Sequence, residues 1–439
     1  MYKETVSQNL QEILDIKLVD AIFGRRSRRF AMGAAVKNGP LQFTSRQEPL
    51  PLSDTEKLLV LAAVSGNTGW HYAIMHNPKY APFFPNYAGA AGGRTFPSSA
   101  GFETSQVFFT DDTGTYFVDT RDAPARVERN EDGFVDIQAV LEAHRSCIRK
   151  ISDHRLNIPR EEPFIEGHNL WIANIEGSML VIPVGDLAQH MLLNLCYYLQ
   201  NGYVIYDDTT DQKIPGIERF SHLADVDNPI PLTFIEMWSL GELTVELAAA
   251  CYAGSLMLQA VGLGGWMFNG LNPFAILGAS GDDRMSGLGF RYDEDDRWPL
   301  PNPTGLAGVM EGFCPPYYPD MRSAVEAVAE RKFGLGGPFN PETSGMWITS
   351  GIVRGSAMIH SEEFKECVAL QAQYIYDQFG KFPGTVPSIY VQTYLQAHHL
   401  DLEFYDRYFN PGACLKTHRE HLAKWHKGNQ TIKREKFNI

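Results

Sequence analysis

Apolar and small residues fill nearly every position between Gly241 and Trp266. No polar stripe interrupts this run at helical spacing, so the pattern predicts a helix that is buried all round. At about 1.5 Å per residue the helix would span roughly 30 Å, the width of a small domain. A bilayer has a similar thickness, but Glu242, Glu246 and Gln259 lie too deep in the run for a membrane span. We therefore expect a central core helix and no membrane partner.

Other stretches of the chain predict further helices and strands. Apolar residues at helical spacing predict helices over residues 5–23, 52–63, 135–150 and 185–200. Ser53 followed by Glu56 forms a capping box at the start of the second of these helices. Two aromatic-rich runs around an Asp-Asp-Thr-Gly turn predict a β-hairpin over residues 106–119. Residues 170–184 predict one or two more strands, and residues 65–70 a polar loop.

The composition is that of a globular and acidic chain. Of its 439 residues, 44% are hydrophobic and 21% are charged, which is enough apolar material for a large core. The net charge of -14 argues against a nucleic-acid partner, because binding a phosphate backbone requires an excess of cations. The six cysteines are scattered singly, and the charged, amphipathic first residues are not expected to be a secretory leader. We therefore expect reduced thiols in a cytoplasmic protein.

A group of arginines follows the first predicted helix. Gly24 is the expected end of that helix, and Arg26, Ser27 and Arg29 come directly after it. Guanidinium groups bind phosphate through two parallel hydrogen bonds, so these side chains form a candidate phosphate site. A solvated basic turn is the alternative interpretation.

Two segments rich in glycine and serine could border a flat ligand, because small residues expose backbone N–H groups. Ordinary structural turns are the alternative. The candidate residues are Pro97, Ser98, Ser99 and Gly101 in one loop, and Gly264 and Gly265 after the long helix.

Four segments, taken in order, resemble the nitroreductase superfamily of flavin enzymes, and in particular its SagB-like dehydrogenase branch. They are residues 26–30, which are similar to an R-S-x-R phosphate motif, and residues 52–63, 97–101 and 246–265. The resemblance implies an α+β fold, a three-layer α/β/α sandwich with a mostly antiparallel central sheet and a long buried core helix. It also implies a homodimer with the flavin at the subunit interface.

The same resemblance implies FMN as the cofactor. Arg26, Ser27 and Arg29 would hold its phosphate, and Arg291 is a candidate for completing that clamp. The loop 97–101 and the glycines at 264 and 265 would border the ring. The implied function is an FMN-dependent oxidoreductase that moves hydride between the flavin and a small organic substrate, with NAD(P)H as a candidate donor. The catalytic residues stay unassigned.

The spacing of the four segments predicts an insertion and an extension. The loop 97–101 and the end of the long helix are farther apart in sequence than in compact members of the family. Residues 121–235 are therefore expected to be an insertion within a flavin domain that spans residues 1–300. Residues 301–439 match nothing in that family and are expected to form a helical extension that packs on the flavin domain or on the dimer.

Histidines concentrate in this extension. His398, Asp401, His418 and His421 could gather Zn²⁺ or Fe²⁺. No established ligand spacing such as HExxH occurs, so the first choice is no metal, and a histidine-rich helix pair is the simpler interpretation. These side chains, with Tyr394 or Tyr405, could instead line a substrate pocket and donate protons.

Two alternatives to a flavin oxidoreductase stay open. One is a flavin-binding protein that sequesters FMN without turnover. The other is a metal-dependent or cofactor-free enzyme on the same fold that uses the C-terminal histidines. An aromatic loop at 70–96, which includes Tyr80, Phe83 and Phe84, is a candidate pocket or interface. The polar residues 425–436 are expected to be a frayed tail.

Overall fold

The computed structural model of the chain describes residues 9–72, 79, 86–121, 123, 127, 129, 131 and 133–426. Tyr80, Phe83 and Phe84 of the predicted aromatic loop, and most of the predicted tail, lie outside these residues. The described helices are α1 (residues 9–14), α2 (Leu18–Gly24), α3 (Asp54–Ser65), α4 (Ile137–Ser146), α5 (Leu187–Gln200), α6 (Leu232–Val261), α7 (Pro273–Leu277), α8 (Met321–Phe333), α9 (Ser350–Gly355), α10 (Glu362–Phe379), α11 (Leu402–Tyr408) and α12 (Lys416–Trp425).

The described strands form one large sheet and several small ones. They are β1 (Ala35–Val36), β2 (Phe43–Thr44), β3 (Asn67–Trp70), β4 (Gly92–Arg94), β5 (Ser105–Asp111), β6 (Gly114–Val118), β7 (Ile148–Ser152), β8 (Met179–Asp186), β9 (Tyr203–Asp207), β10 (Gln212–Lys213), β11 (Asp225–Pro231), β12 (Gly264–Phe268), β13 (Arg291–Asp293), β14 (Asn302–Leu306), β15 (Met310–Glu311), β16 (Ile389–Tyr390) and β17 (Tyr394–His398).

The central sheet has seven strands, in the order β12-β17-β8-β5-β6-β7, with β16 also paired to β8. Every pairing in it is antiparallel, so the chain has a mixed helix and strand fold with an antiparallel sheet. The predicted hairpin is confirmed as β5 and β6, which meet where Asp111 pairs with Gly114. A small separate sheet contains one parallel pair, β9 with β11.

Alternate side chains of the central strands enter two different cores, as the two-residue period of a strand requires. Val181 and Leu395 pack on one face against residues of α3 and α6. Ile182 and Tyr394 pack on the other face against α7 and neighbouring extended segments. A third core joins α5, α8 and α10. The central strands are therefore buried on both faces.

Several predicted elements are present, although some begin or end at other residues than predicted. The capping box of α3 is present, since Ser53 N donates to Glu56 Oε2 at 2.6 Å and Glu56 N donates to Ser53 Oγ at 3.4 Å. Asp186 caps α5 through Gln189 N, as the pattern predicts. The predicted helix 5–23 is interrupted after residue 14, and the expected polar loop at 65–70 contains β3 instead.

The long helix α6 begins nine residues earlier than predicted and is not buried all round. One side packs on the sheet and on α3, whereas the other side carries an exposed apolar stripe. We call this stripe the α6 stripe; it consists of Phe234, Met237, Trp238, Val245 and Tyr252. The sequence pattern could not reveal it, because apolar residues that contact the core and apolar residues that face outward look alike.

Among the described helices, α6 alone is long and apolar enough to cross a membrane by its length and composition. Half of its most apolar window is buried inside the chain. Two of its carboxylates bind other parts of the fold: Glu236 accepts hydrogen bonds from Gly384 N and Thr385 N, and Glu246 accepts one from Ser105 N. These contacts make α6 an integral part of the packed core.

The segment expected to be a helical extension also supplies strands. β17 lies between β12 and β8 in the central sheet, and β16 pairs with β8. The purely helical prediction for residues 301–439 is therefore wrong, because residues 394–397 alternate between the two cores as a central strand does. Similarly, β7 and β8 come from the stretch 121–235 that was expected to be an insertion.

Candidate functional site

A cavity of about 750 Å³ lies beside the arginine segment, which comprises residues 25–29. This volume falls within the range of small-molecule sites. Its polar wall is formed by residues 26–29. Its apolar wall is largely aromatic and includes Phe23, Phe30, Trp171, Phe404, Tyr405 and Phe409. The cavity thus combines cations with flat apolar surfaces.

Arg28 fixes the arginine segment to the rest of the fold. Its buried guanidinium donates hydrogen bonds to Gln259 Oε1 at 2.6 Å, to the carbonyl of Ala413 at 2.8 Å and to the carbonyl of Gly24 at 3.1 Å. Gly265 N donates to the carbonyl of Arg28 at 2.9 Å. Burial lowers the pKa of Arg28. With its donors directed to protein acceptors, Arg28 serves as an anchor for the segment.

Arg29 lies between two indole rings. Its guanidinium carbon is 4.8 Å from the ring centroid of Trp266 and 5.4 Å from that of Trp171. One terminal nitrogen donates to Asn169 Oδ1 at 2.7 Å and to the carbonyl of His168 at 3.1 Å. Its Nε atom is buried and has no hydrogen-bond partner among the described residues. Desolvation lowers the pKa of Arg29, so a bound anion would stabilise its charged form.

The other two predicted phosphate ligands lie in the same wall. Arg26 is exposed and donates only to the nearby carbonyls of Phe23 and Arg25 among the described residues, and Ser27 is exposed as well. Arg26, Ser27 and Arg29 therefore line one cavity.

The loop 97–101 lies over the middle of α6. Ser98 Oγ donates to Glu246 Oε2 at 2.7 Å, and Ser99 Oγ donates to the carbonyl of Glu242 at 3.1 Å. Pro97 is exposed, and Gly101 adopts a φ of 68°. Glu246 and Gln259, which contacts Arg28, are 13 residues apart (259 minus 246). At 1.5 Å per residue this separates the loop from the arginine segment by about 20 Å within one chain.

The remaining predicted cofactor ligands occupy other positions. A Cβ on Gly265 would lie 1.9 Å from the carbonyl oxygen of Gln396, and one on Gly264 would lie 2.2 Å from Leu400 Cδ2. These glycines therefore permit the close approach of β12 and β17 instead of forming an open surface. Arg291 is exposed in β13 and pairs with Asp293 at 2.8 Å, outside the described lining of the arginine cavity.

A second group of functional side chains lies at the start of α3. Glu56 Oε1 is 2.8 Å from His421 Nε2, 2.9 Å from His426 Nε2 and 3.1 Å from His399 Nε2. These four ligand-type atoms all lie within 4.8 Å of one another. We call this group the Glu56 cluster. Glu56, His399 and His426 were not among the candidate metal ligands. Glu56 is distant in sequence from the histidines, and His399 and His426 lie close to candidates in sequence but at no established ligand spacing.

Only one of the four predicted metal ligands, His421, belongs to the Glu56 cluster. His398 Nε2 lies 3.2 Å from the carbonyl of Arg28. Asp401 accepts a hydrogen bond from Ser45 Oγ at 2.6 Å and caps α11. His418 Nδ1 accepts a hydrogen bond from Leu415 N at 3.1 Å. The structure therefore does not gather the alternative ligand set of His398, Asp401, His418 and His421, because the first three side chains contact the local backbone or a neighbouring segment.

The two tyrosines proposed as proton donors are separated. Tyr405 lines the arginine cavity, and its hydroxyl accepts a hydrogen bond from Phe30 N at 3.1 Å. Tyr394 is fully buried in the central sheet, where its hydroxyl has no hydrogen-bond partner in the described part of the chain. Only Tyr405 is placed to contact a ligand in the cavity. Trp171 also lines the cavity but was not among the candidate residues. It lies in turns at residues 170–174, within the stretch 170–184 that was predicted to form strands.

Comparison with known proteins gives limited information. No protein-family model matches the chain, and no curated protein matches it. Among solved structures, the chain is similar to a protein from Ralstonia eutropha JMP134 described as a "putative nitroreductase". The two share 16% sequence identity over 59% of this chain and 72% of that chain, with a TM-score of 0.25. This score is too low to support a conclusion, so the fold and site rest on the contacts described above.

Proposed function

We propose that the chain is an FMN-dependent oxidoreductase, which transfers hydride between the flavin and a small organic substrate, with NAD(P)H as a candidate donor. The observation that carries the proposal is the cavity in which Arg26, Ser27 and Arg29 face an aromatic wall. A phosphorylated flat ring requires this combination of cations and apolar surface. The proposal includes a cytoplasmic location, no membrane or nucleic-acid partner, and the three-layer α/β/α form of the fold with α6 as its core helix.

The residues at the cavity fit such a cofactor. The buried Nε of Arg29 still has a hydrogen bond to give, and the exposed Arg26 and Ser27 can supply further donors to a phosphate dianion. Trp171 and Phe404 belong to the apolar wall beside which the ring would lie. FMN, when bound, supplies the hydride chemistry. The chain binds the phosphate, orients the ring and excludes water from its apolar face.

The proposal also includes a homodimer. The loop 97–101 lies about 20 Å from the arginine segment within one chain, so one subunit does not bring both motifs to one ligand. The α6 stripe borders this loop, since Trp238 Nε1 donates to Glu242 Oε1 at 2.8 Å and Ser99 contacts the carbonyl of Glu242. A second copy that covers the α6 stripe would shield this apolar surface from water and could present its loop to the first copy's cavity.

The visible absorption spectrum of the purified protein, before and after incubation with FMN and removal of the excess, tests the proposal. We expect flavin absorbance in the wild type and its loss in Arg26→Ala and in the Arg26→Ala/Arg29→Ala double variant. Arg25→Ala is the matched control, because Arg25 belongs to the same segment but is not among the described residues that line the cavity. A wild-type protein that neither contains nor takes up FMN would refute the proposal.

Reduction of the bound flavin separates catalysis from sequestration. Anaerobic addition of NADPH or NADH should bleach the flavin absorbance, and a suitable acceptor should restore it. If FMN binds and neither reduced nicotinamide nor any small organic hydride donor bleaches it, the chain is a flavin-sequestering protein instead.

A further inference from the structure

We propose that the Glu56 cluster is a binding site for one divalent transition-metal ion, with zinc as the best chemical fit. The four ligands would be Glu56 of α3, His399 just after β17, His421 of α12 and His426 just after α12. Three imidazoles and one carboxylate form a donor set that suits zinc and similar ions. The inference is independent of the proposed flavin function.

The hydrogen bonds on the outer side of the cluster fix two of the histidines for metal binding. His399 Nδ1 lies 2.8 Å from the carbonyl of Leu50, and His421 Nδ1 lies 2.8 Å from the carbonyl of Val261. A carbonyl oxygen only accepts hydrogen bonds, so both Nδ1 atoms must carry a proton. In a neutral imidazole the Nε2 atom then carries a lone pair. Such backbone contacts commonly orient histidines that ligate metals.

These lone pairs converge on a carboxylate oxygen, which is an unfavourable arrangement without a cation. His399 Nε2 and His421 Nε2 lie 3.1 and 2.8 Å from Glu56 Oε1. The lone pairs of these two nitrogens would therefore face, and repel, the lone pairs of the carboxylate oxygen. His421 Nε2 is buried and makes no hydrogen bond among the described residues. Protonating all three imidazoles would instead crowd three cations into a buried space, at a high desolvation cost. A metal ion at the centre removes both problems.

Four of the six separations between the ligand atoms are close to those of a tetrahedral site. Metal–ligand bonds of about 2.0–2.1 Å in a tetrahedron place the ligand atoms about 3.3–3.4 Å apart. The distance between His399 Nε2 and His426 Nε2 is 3.2 Å, and the distances to Glu56 Oε1 are a few tenths of an ångström shorter than the tetrahedral value. A small outward movement of the rings would therefore admit the ion.

The burial of the Glu56 cluster and its four protein ligands are typical of a structural metal site. Glu56 is fully buried, His399 and His421 are almost so, and only 11% of the His426 side chain is exposed. The second carboxylate oxygen of Glu56, Oε2, accepts the hydrogen bond from Ser53 N, which fixes the orientation of the side chain. Four protein ligands and a closed environment leave no position for a substrate, which is typical of structural zinc. The ion would fasten α12 to α3 and β17.

Metal analysis of the full chain tests this inference. The protein is stripped by dialysis against a chelator, reloaded with Zn²⁺ or Co²⁺, and analysed by mass spectrometry of the bound metal and by visible absorption. We expect one ion per chain, the visible bands of four-coordinate cobalt, and a higher unfolding temperature in the loaded form.

Variants locate the ion. His426→Ala removes the most exposed ligand and should lower the metal affinity by roughly a hundredfold, since losing an outer-shell partner alone costs up to that much. Glu56→Gln should act similarly while it keeps an oxygen for Ser53 N. His222→Ala is the matched control, because that histidine is exposed and pairs with Glu363 away from the cluster. A wild-type chain that binds neither ion, or folded His426→Ala and Glu56→Gln variants with unchanged affinity, would overturn the inference.

Discussion

The guanidinium of Arg28 donates a hydrogen bond to the side-chain oxygen of Gln259 at 2.6 Å, and both side chains are buried. This contact joins the arginine segment to the last turn of α6. The same guanidinium donates to the carbonyls of Gly24 and Ala413, which both line the arginine cavity. The position of the candidate phosphate ligands therefore depends on a residue that is not itself free to bind phosphate.

Replacing Arg28 with alanine should destabilise the fold. One buried acceptor, Gln259 Oε1, and two partly buried carbonyls would lose their donor. Each unsatisfied buried group costs about 1–3 kcal/mol before water or local movement compensates. We expect the free energy of unfolding to fall by about 2–4 kcal/mol in urea titrations. Arg25→Ala should change it by less than about 0.5 kcal/mol, as is usual for surface substitutions. Equal stabilities of the two variants would contradict the anchoring role of Arg28.

Two glycines of α6 should respond in opposite directions to alanine. A Cβ on Gly254 would lie 2.5 Å from Leu395 Cδ2 and 2.5 Å from Val64 Cγ2, so Gly254→Ala should cost about 1–3 kcal/mol through overpacking. A Cβ on Gly241 would meet no described atom within 4 Å. Gly241→Ala should therefore stabilise the protein by about 0.5–1 kcal/mol. Thermal unfolding of both variants checks the prediction, and a stabilising Gly254→Ala would refute the close packing of α6.

The buried carboxyl of Glu103 should make stability depend on pH. Desolvation raises the pKa of Glu103 from 4.5 to about 8. The positive charge of Arg94, at 3.9 Å, opposes this rise, and the negative charge of Glu246 adds to it. His71 lies 3.9 Å away, and burial lowers its pKa. Glu103 therefore binds its proton more tightly in the folded state. Its contribution to stability is complete below about pH 4.5 and is lost as the pH rises to about 8.

Glu103→Gln should remove this loss, because the amide stays neutral at every pH. We expect the variant to match the wild type at about pH 4.5 and to become progressively more stable than the wild type up to about pH 8. Denaturant titrations across this interval give the difference. Glu142→Gln, at an exposed position of α4, is the control and should show no such divergence. If Glu103→Gln and the wild type keep a constant difference in free energy, the carboxyl is charged throughout.

The α6 stripe should mediate self-association. Val245 lies near the centre of the α6 stripe and is 51% exposed. Val245→Lys would therefore place a charge in the proposed interface. We expect this variant to weaken the dimer by roughly tenfold or more in sedimentation equilibrium, because an unpaired buried charge opposes association. Ile348→Lys is the control at a fully exposed apolar position outside the α6 stripe. A wild-type monomer, or a dimer that Val245→Lys leaves intact, would exclude the α6 stripe as the interface.

Local patterns in the sequence predicted local structure well. The capping box of Ser53 and Glu56, the hairpin of β5 and β6, and the start of α5 at Asp186 each depend on residues close in sequence. Arg26, Ser27 and Arg29 likewise line one cavity because they are neighbours in sequence. Such features follow from backbone geometry within a few residues, so one sequence is enough to find them.

Contacts between distant residues could not be predicted in this way. Glu56 appeared only as a helix cap, although its second oxygen lies among three histidines from the other end of the chain. The strand β17 was interpreted as part of a helical extension, because no local signal shows that it pairs with both β12 and β8. The glycines at 264 and 265 were assigned to a ligand for the same reason, since close strand pairing and ligand contact both favour residues without a side chain.

The place of β17 in the central sheet has a consequence during protein synthesis. β8 and β12 are neighbours only through β17, and the ribosome makes this strand more than two hundred residues after β8. Until residues 394–398 emerge, the nascent chain exposes the apolar edges of both strands, which are prone to wrong pairing. Completion of the sheet must therefore wait for late translation. A chaperone that protects open sheet edges would be most useful to this chain during that interval.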